Sequence, residues 1–287
     1  MKATYLYELR RMFCGRRGWG IVALFLFLEG LCFSVFNLAL GAGTMLRTLG
    51  SLAVLELPVL LWLVGAHWTR ERGEREERFF ASLPLPTWQR TLAKYASALT
   101  VYLLSHLPLF LFTYLLPLYG GESLSTTLTA VLGYLMMEAS VLSMLSLVAS
   151  LCEKKSVCAI VGGAVCVLLY AITYLPTLIP GAPWLSLVLL LSSLAGVAAL
   201  VAWLCGRWIV APVAFVLSAG AGVVLFVLDR ARFAYLFPRL LTAVHPFLRF
   251  TEFTAGRMDI GGILLFLSMA VLFQLLTVAY AEQRRGA

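Results

Sequence analysis

The chain has 287 residues, of which 61% are hydrophobic and only 13% are charged. A soluble globular domain carries about 25% charged residues, and one 31.5 kDa globule could not bury this much apolar surface. The composition argues against a soluble enzyme, a disordered chain and a secreted disulfide scaffold, and it indicates an integral membrane protein. The formal charge of +8 fits basic loops at an anionic membrane surface, and no nucleic-acid recognition motif accompanies it.

A transmembrane helix needs about 20 apolar residues, and the sequence contains eight such runs. They are Trp19–Leu40, Ser51–Trp68, Tyr95–Leu118, Leu124–Leu151, Val157–Ile179, Trp184–Gly206, Trp208–Leu228 and Ile260–Tyr280. Their continuous apolar character favours helices over a β-barrel. We therefore expect an all-α polytopic membrane protein with about eight transmembrane helices. Most Lys and Arg residues fall on the side of the two termini, which places both termini in the cytoplasm.

The first 18 residues are predicted to form an amphipathic helix in the plane of the membrane interface, ahead of the transmembrane domain 19–287. Glu8 and Arg11 lie on a different face of this helix from the apolar residues. These apolar residues recur at helical spacing and are Tyr5, Leu6, Leu9, Met12 and Phe13. The alternative is a basic flank that only fixes the topology.

The largest predicted cytoplasmic loop, residues 69–91, opens with four Arg and four Glu residues between Arg70 and Arg78. Glu71 with Arg75, and Glu74 with Arg78, have the i,i+4 spacing that supports a short helix. Aromatic residues follow, so this segment is a candidate docking surface for a soluble partner; the alternative is a solvated loop. The candidate docking residues are Glu71, Arg72, Glu74, Arg75, Glu76, Glu77, Arg78, Phe79 and Phe80.

The segment Asp229–Asp259, on the predicted outer side, is rich in aromatic residues. Its apolar residues from Phe233 to Val244 keep the helical period, while Pro238 and Pro246 interrupt it. We expect one or two short interfacial helices that lie on or dip into the outer membrane face.

Four ionisable residues fall inside predicted spans, namely Glu29, Glu56, His106 and Glu138. Ionisable groups are costly in hydrocarbon, so they indicate either a functional path or hydrogen bonds that hold helices together. Glu56 is the strongest functional candidate because Pro58 follows it. The three histidines are too scattered along the sequence to indicate a metal site. No phosphate-binding loop of the G-x-x-x-x-G-K-[ST] type occurs, so the chain is not expected to hydrolyse ATP by that route.

The order of these features resembles that of ABC-2-type transporter permeases. The resemblance rests on YELRRMF within Tyr5–Phe13, on FFASLPLPTWQRTLAKYASAL (Phe79–Leu99) and on the closing stretch His245–Arg285. The closing stretch is similar to permeases grouped with gliding-motility and copper-enzyme maturation systems. The family typically has six spans, so the hairpin 184–228 would be an insertion before the last one.

The resemblance implies a permease subunit without catalytic activity, in the cytoplasmic membrane of a prokaryote. The segment Glu71–Leu83 would match the coupling helix, which docks on a separate ATPase subunit. That subunit would bind ATP and Mg²⁺, and this chain would bind no cofactor. The amino-terminal segment would be the connecting helix, and Asp229–Asp259 the re-entrant element. Two permease protomers, identical or different, would enclose the transport path, with export as the expected direction. A second cytoplasmic contact would comprise Glu153, Lys154 and Lys155.

Two other hypotheses remain open at this stage. An ATP-independent transporter or scaffold would be favoured by a repeat-related pair of broken helices, and the sequence alone does not reveal one. An intramembrane enzyme would require Glu56, Glu138 and His106 to converge within hydrogen-bonding reach.

Overall fold

The computed structural model describes residues 2–14, 16–68, 86–205 and 210–286. Within these residues every regular element is a helix and no strand occurs. Seven of the described helical stretches are long and apolar enough to span a membrane. They are Gly18–Ala39, Leu46–Gly65, Thr87–Leu118, Leu124–Leu151, Lys155–Ile172, Pro183–Trp203 and Ile260–Arg284. The protein is therefore an all-α, multi-pass membrane protein, as the composition predicts.

The helices are numbered in chain order. In the first half they are α1 (Lys2–Phe13), α2 (Arg16–Cys32) with a π-helical extension (Phe33–Ala39), α3 (Leu46–Leu55), α4 (Leu57–Trp68), α5 (Thr87–Ser105), α6 (Leu107–Leu118) and α7 (Leu124–Leu151). In the second half they are α8 (Lys155–Ile172), α9 (Leu175–Leu178), α10 (Pro183–Cys205), α11 (Val210–Leu228), a 3₁₀ helix (Arg230–Phe233), α12 (Leu236–Val244), α13 (Pro246–Thr254) and α14 (Ile260–Gly286).

The predicted hairpin 184–228 corresponds to α10 and α11. These two helices pack against each other, and α10 also contacts α14 at the edge of the bundle. Helix α10 is among the seven described spans, and α11 is an apolar helix of 19 residues that is not counted among them. The total of eight spans therefore stays a prediction.

Helix α7 is the most buried of the seven described spans and forms the centre of the bundle. It packs against α14 and α13 and also contacts every helix from α3 to α8. The Tyr95 hydroxyl of α5 donates a hydrogen bond to the Ala139 carbonyl of α7 over 3.0 Å. On another side, Gln274 Nε2 of α14 donates to Ser146 Oγ over 2.7 Å. Small and polar residues on α7 allow close helix packing and supply interhelical hydrogen bonds.

Two of the described spans are interrupted. The second span breaks at Glu56, between α3 and α4, and the third breaks at His106, between α5 and α6. In both cases a proline follows two residues later, in Glu56–Pro58 and in His106–Pro108. Proline lacks an N–H group and its ring clashes with the carbonyl one turn earlier, so an α-helix cannot continue unchanged through it. The chain therefore places an ionisable residue at each break.

Contacts between loops define the two ends of the bundle. At one end, Arg284 near the end of α14 bonds Glu153, in the turn between α7 and α8, over 2.7 Å. At the other end, the backbone N–H of Glu122 donates to the Gly43 carbonyl over 2.8 Å. Helix α7 connects these two ends, so the predicted second cytoplasmic contact and the end of α14 lie on the same side of the bundle.

Helix α1 packs against α5 and α2, and the Tyr5 hydroxyl lies 2.9 Å from Thr100 Oγ1 on α5. The sequence pattern does not predict which face of α1 contacts the bundle. Glu8 is only 1% exposed, whereas Leu6 is 50% exposed. Glu8 forms an ion pair with Arg11 at 3.4 Å. The side of α1 that contacts the bundle is therefore partly polar.

Candidate functional site

A cluster of ionisable side chains lies inside the bundle where the two interrupted spans meet α2. Nε2 of His106 is 2.9 Å from Oε2 of Glu56 and 3.7 Å from Oε1 of Glu29. All three side chains have no exposed surface. Glu29 lies in the last turn of α2, while Glu56 and His106 occupy the breaks of the second and third spans. One site thus joins three transmembrane segments.

Two further hydrogen bonds orient this cluster. The Tyr134 hydroxyl of α7 donates to Oε2 of Glu56 over 2.5 Å. Nδ1 of His106 lies 2.8 Å from the backbone carbonyl oxygen of Tyr102. A carbonyl oxygen only accepts hydrogen bonds, so Nδ1 carries a hydrogen atom. In a neutral imidazole, Nε2 then carries no hydrogen atom, and its lone pair is directed at two carboxyl groups.

Aromatic rings surround the histidine and exclude water. The His106 ring centroid lies 4.1 Å from that of Tyr102, 5.0 Å from that of Phe25 and 5.9 Å from that of Tyr134. Phe25 belongs to α2, one turn before Glu29. An apolar enclosure strengthens electrostatic interactions between the enclosed groups and raises the cost of any charge left without a counter-charge.

Several polar atoms of this region have no hydrogen-bond partner among the described residues. They are both carboxyl oxygens of Glu29, Oε1 of Glu56, the Tyr102 hydroxyl and both carboxyl oxygens of Glu138. A buried polar atom without a partner costs about 1–3 kcal/mol. Buried polar atoms without a partner are rare in folded proteins, so these atoms make the cluster a candidate functional site.

The structure brings together three of the four predicted intramembrane residues. Glu138 is also fully buried on α7, one turn after Tyr134. It forms no hydrogen bond to Glu56 or His106 within the described residues. The convergence that an intramembrane enzyme would require is therefore seen for Glu56 and His106 but not for Glu138.

Tyr134, Tyr102 and the second break are not among the features predicted from the sequence. The signal for the break was present, because Glu56-Leu57-Pro58 and His106-Leu107-Pro108 share one pattern. The three histidines are scattered along the sequence, yet His106 meets two carboxylates from other helices. A search for clusters made of histidine alone overlooks such a site.

The segment Asp229–Asp259 contributes a wall next to the cluster. Its helix α13 packs against α7, and the ring of Phe250 lies edge-on 6.0 Å from that of Tyr134. Gly133 permits this approach, because a Cβ atom there would lie 2.4 Å from Cγ of Phe253. Helix α13 thus packs alongside the first half of α7, at Gly133 and Tyr134.

An ion pair fixes α13 to the start of the last span. Nε of Arg249 lies 2.6 Å from Oδ2 of Asp259, and the same carboxylate accepts hydrogen bonds from the backbone N–H groups of Gly261 and Gly262. Asp259 therefore caps α14 and holds the preceding helix with one side chain.

The predicted docking residues from Glu71 to Phe80 lie outside the described residues. The structure resumes at Pro86, which precedes the first turn of α5 with an extended backbone. In the second predicted contact, Glu153 binds Arg284, Lys154 is the N-cap residue of α8 and Lys155 is its first residue. All three side chains are solvent-exposed.

A cavity of about 910 Å³ lies between the interrupted second span and α8. Its wall is mainly apolar and includes Leu57, Pro58, Trp62, Cys158, Cys166 and Tyr170. Such a lining suits an acyl chain or another apolar group better than a charged molecule.

No family model, no curated protein and no solved structure matches this chain. Its function is therefore inferred from the sequence pattern and from the geometry of the bundle.

Proposed function

We propose that this chain is the permease subunit of an ABC-2-type transporter in the cytoplasmic membrane of a prokaryote. It exports a substrate when a separate ATPase subunit, which binds ATP and Mg²⁺, docks on its cytoplasmic side. The observation that carries the proposal is the order of elements along the chain. A short amino-terminal helix packs on the third span, a charged loop precedes that span, and an inserted helix, α13, stands directly before the last span.

The packing of the bundle supports a mechanical role for the cytoplasmic contacts. Glu153 and Arg284 tie the turn after α7 to the end of α14, and these two helices share an extensive interface. A push on this turn would therefore move α7 and α14 together, as in rigid-body switching. Since Tyr134 of α7 binds Glu56, the same movement would reach the interrupted second span.

In this proposal the transporter contains two permease protomers and two ATPase subunits. The charged loop containing Arg70–Arg78 is the main docking element, and the turn at Glu153–Lys155 is the second contact. The path runs between the two permease protomers, which are identical or closely similar chains.

Variants of the charged loop test the proposal. A tagged chain is purified in mild detergent from its own membranes, and the ATPase that accompanies it is quantified by mass spectrometry. Replacing Glu71, Glu74, Arg75 and Arg78 together by Gln keeps the net charge and removes the docking charges. We expect the variant to lose most of the bound ATPase.

A matched control uses another pair of opposite charges. Asp229 and Arg232 form an exposed ion pair on the predicted outer side, and their replacement by Asn and Gln should leave ATPase binding unchanged. Equal ATPase recovery with the loop variant and with wild type would contradict the proposed docking site. Absence of any ATPase from the wild-type complex would contradict the proposed class.

The interrupted spans favour one second candidate, an ATP-independent transporter. In secondary transporters, broken helices meet at the binding site near the middle of the membrane, and here two breaks meet at Glu56 and His106. Sealed vesicles separate the two candidates once a transported substrate is available. Transport that persists after ATP depletion and stops when the proton gradient collapses would favour the second candidate.

A further inference from the structure

We propose that Glu29, Glu56 and His106 bind one divalent transition-metal cation of the Zn²⁺ type, which links three spans inside the membrane. Oxygen and nitrogen atoms of these three side chains lie within 4.8 Å of one another. Neither the sequence resemblance nor the proposed transport function assigns this site, and the inference does not depend on that function.

Two of the three separations between ligand atoms are close to those in the first coordination sphere of zinc. Ligand bonds of about 2.0–2.2 Å in a tetrahedral site place neighbouring ligand atoms about 3.3–3.6 Å apart. The separations from His106 Nε2 are 2.9 Å to Glu56 and 3.7 Å to Glu29, on either side of that value. Small rotations of the carboxyl groups would therefore complete three ligand positions and leave a fourth open.

The histidine has the tautomer that a metal ligand needs. Nδ1 donates to the Tyr102 carbonyl, which leaves Nε2 as the free lone pair on the side of the two carboxylates. This arrangement, in which the second ring nitrogen is held by a carbonyl, is the usual outer-shell support of a metal-binding histidine. A neutral imidazole facing ionised carboxylates without a cation would bring lone pairs together at 2.9 Å.

Unpaired atoms provide an independent indication of a ligand. Glu29 is fully buried, and neither of its oxygens has a hydrogen-bond partner among the described residues. Its Oε1 points at His106. A divalent cation would supply the missing partner and would balance two carboxylates beside a neutral histidine, so that no net charge remains in the hydrocarbon region.

The donor set indicates the class of metal. One imidazole and two carboxylates suit Zn²⁺ and related divalent ions, whereas Cu⁺ prefers thiolate and thioether ligands. Because the ligands come from α2 and from both helix breaks, the ion would fix the interrupted spans to each other. Its complete burial predicts slow exchange with solution, so it is loaded while the protein folds.

Metal analysis of the full chain tests this site. The protein is expressed with Zn²⁺ in the medium, purified without a histidine tag, placed in zwitterionic nanodiscs and separated from free metal before elemental analysis. We expect about one Zn²⁺ per wild-type chain, and a loss of at least about tenfold in Glu29→Gln and His106→Gln. His245→Gln and Glu122→Gln, which change a histidine and a glutamate outside the cluster, should retain the metal.

A measurement on the wild-type protein covers the case in which the cluster variants fail to fold. Growth with Co²⁺ in place of Zn²⁺ should give the visible d–d bands of a four-coordinate Co²⁺ site with nitrogen and oxygen ligands. Wild-type protein that retains no Zn²⁺ and shows no such bands would overturn the proposal and indicate that protons alone neutralise the cluster. Equal metal content in the wild type and in folded cluster variants would overturn it as well.

Discussion

Nε2 of His106 lies 2.9 Å from Oε2 of Glu56, and each of these two residues occupies the break of an interrupted span, two positions before a proline. The two breaks therefore face each other inside the bundle. Proline accounts for both breaks, because an α-helix cannot continue unchanged through it. The contact between His106 and Glu56 thus joins two spans at the points where their helices are interrupted.

The Tyr134 hydroxyl should contribute measurably to stability, because it binds a buried carboxyl oxygen of Glu56. We expect Tyr134→Phe to lower the free energy of unfolding by about 1–3 kcal/mol, since the carboxyl group keeps its burial and loses a donor. Thermal unfolding in nanodiscs measures the effect. Tyr114→Phe is the matched control, because Tyr114 is 59% exposed; equal midpoints for the two variants would contradict the assigned role.

Gly133 should be required for the close approach of α13 to α7. A Cβ atom at this position would lie 2.4 Å from Cγ of Phe253, so Gly133→Ala forces a shift of α13 and should destabilise the protein by about 1–3 kcal/mol. Gly163→Ala is the control, because nothing lies within 4 Å of a Cβ atom there. It should be neutral or slightly stabilising. Similar thermal midpoints for both variants would show that α13 does not pack as described.

The segment Asp229–Asp259 should become less stable at acidic pH because of the titration of His245. Burial lowers the pKa of His245 below its usual value near 6.5, and its Nε2 donates to the Leu169 carbonyl over 3.0 Å. The unfolded chain then binds the proton more tightly than the folded one. Stability is therefore fully present above about pH 6.5 and is lost as the pH falls below it, by at most about 1.4 kcal/mol per pH unit.

The variant His245→Gln keeps a donor for the Leu169 carbonyl and removes the titration. Between about pH 7.5 and pH 5.5 its thermal midpoint should decrease less than that of the wild type. If the thermal midpoints of both proteins decrease by the same amount, His245 does not titrate in the way described.

Asp259 should contribute more to the free energy of unfolding than an exposed acidic residue in a similar ion pair. It binds Arg249 and also accepts hydrogen bonds from two backbone N–H groups of α14. Asp259→Ala removes the ion pair and the cap together, and we expect a loss of about 1–3 kcal/mol. Asp229→Ala breaks an ion pair whose arginine is 84% exposed, and should cost less than about 1 kcal/mol. Chemical denaturation of both variants measures their free energies of unfolding, and equal losses for Asp259→Ala and Asp229→Ala would contradict this prediction.

Much of the fold could be predicted from the sequence because the bilayer fixes how long an apolar helix must be. The runs that contain α7 and α14 are mainly apolar, and the structure has long helices there. The four intramembrane ionisable residues could also be recognised, because charged groups are costly in hydrocarbon and rarely occur there without a reason.

The contacts between distant helices could not be predicted. Glu29 and His106 are separated by 77 positions, and no local periodicity relates them. A tyrosine such as Tyr134 is common in membrane spans, so only its contacts in the folded protein reveal its role. Helix α13 shows the same limit, because its apolar pattern indicated a membrane-facing helix but not how deeply it inserts.

Glu8 shows that an amphipathic pattern does not tell which face of a helix contacts the bundle in a membrane protein. In α1, apolar Leu6 is exposed while Glu8 is buried. In water, burial and apolar character coincide, and that rule fails where the surrounding medium is itself apolar.

The proposed transporter predicts a complex with a defined composition. The most direct measurement is native mass spectrometry of the tagged chain, extracted from its own membranes with bound ATP analogue and Mg²⁺. The proposal predicts two permease protomers, with at least one 31.5 kDa chain of this sequence, together with two ATPase subunits. A homogeneous species that contains this chain without any ATPase would contradict it.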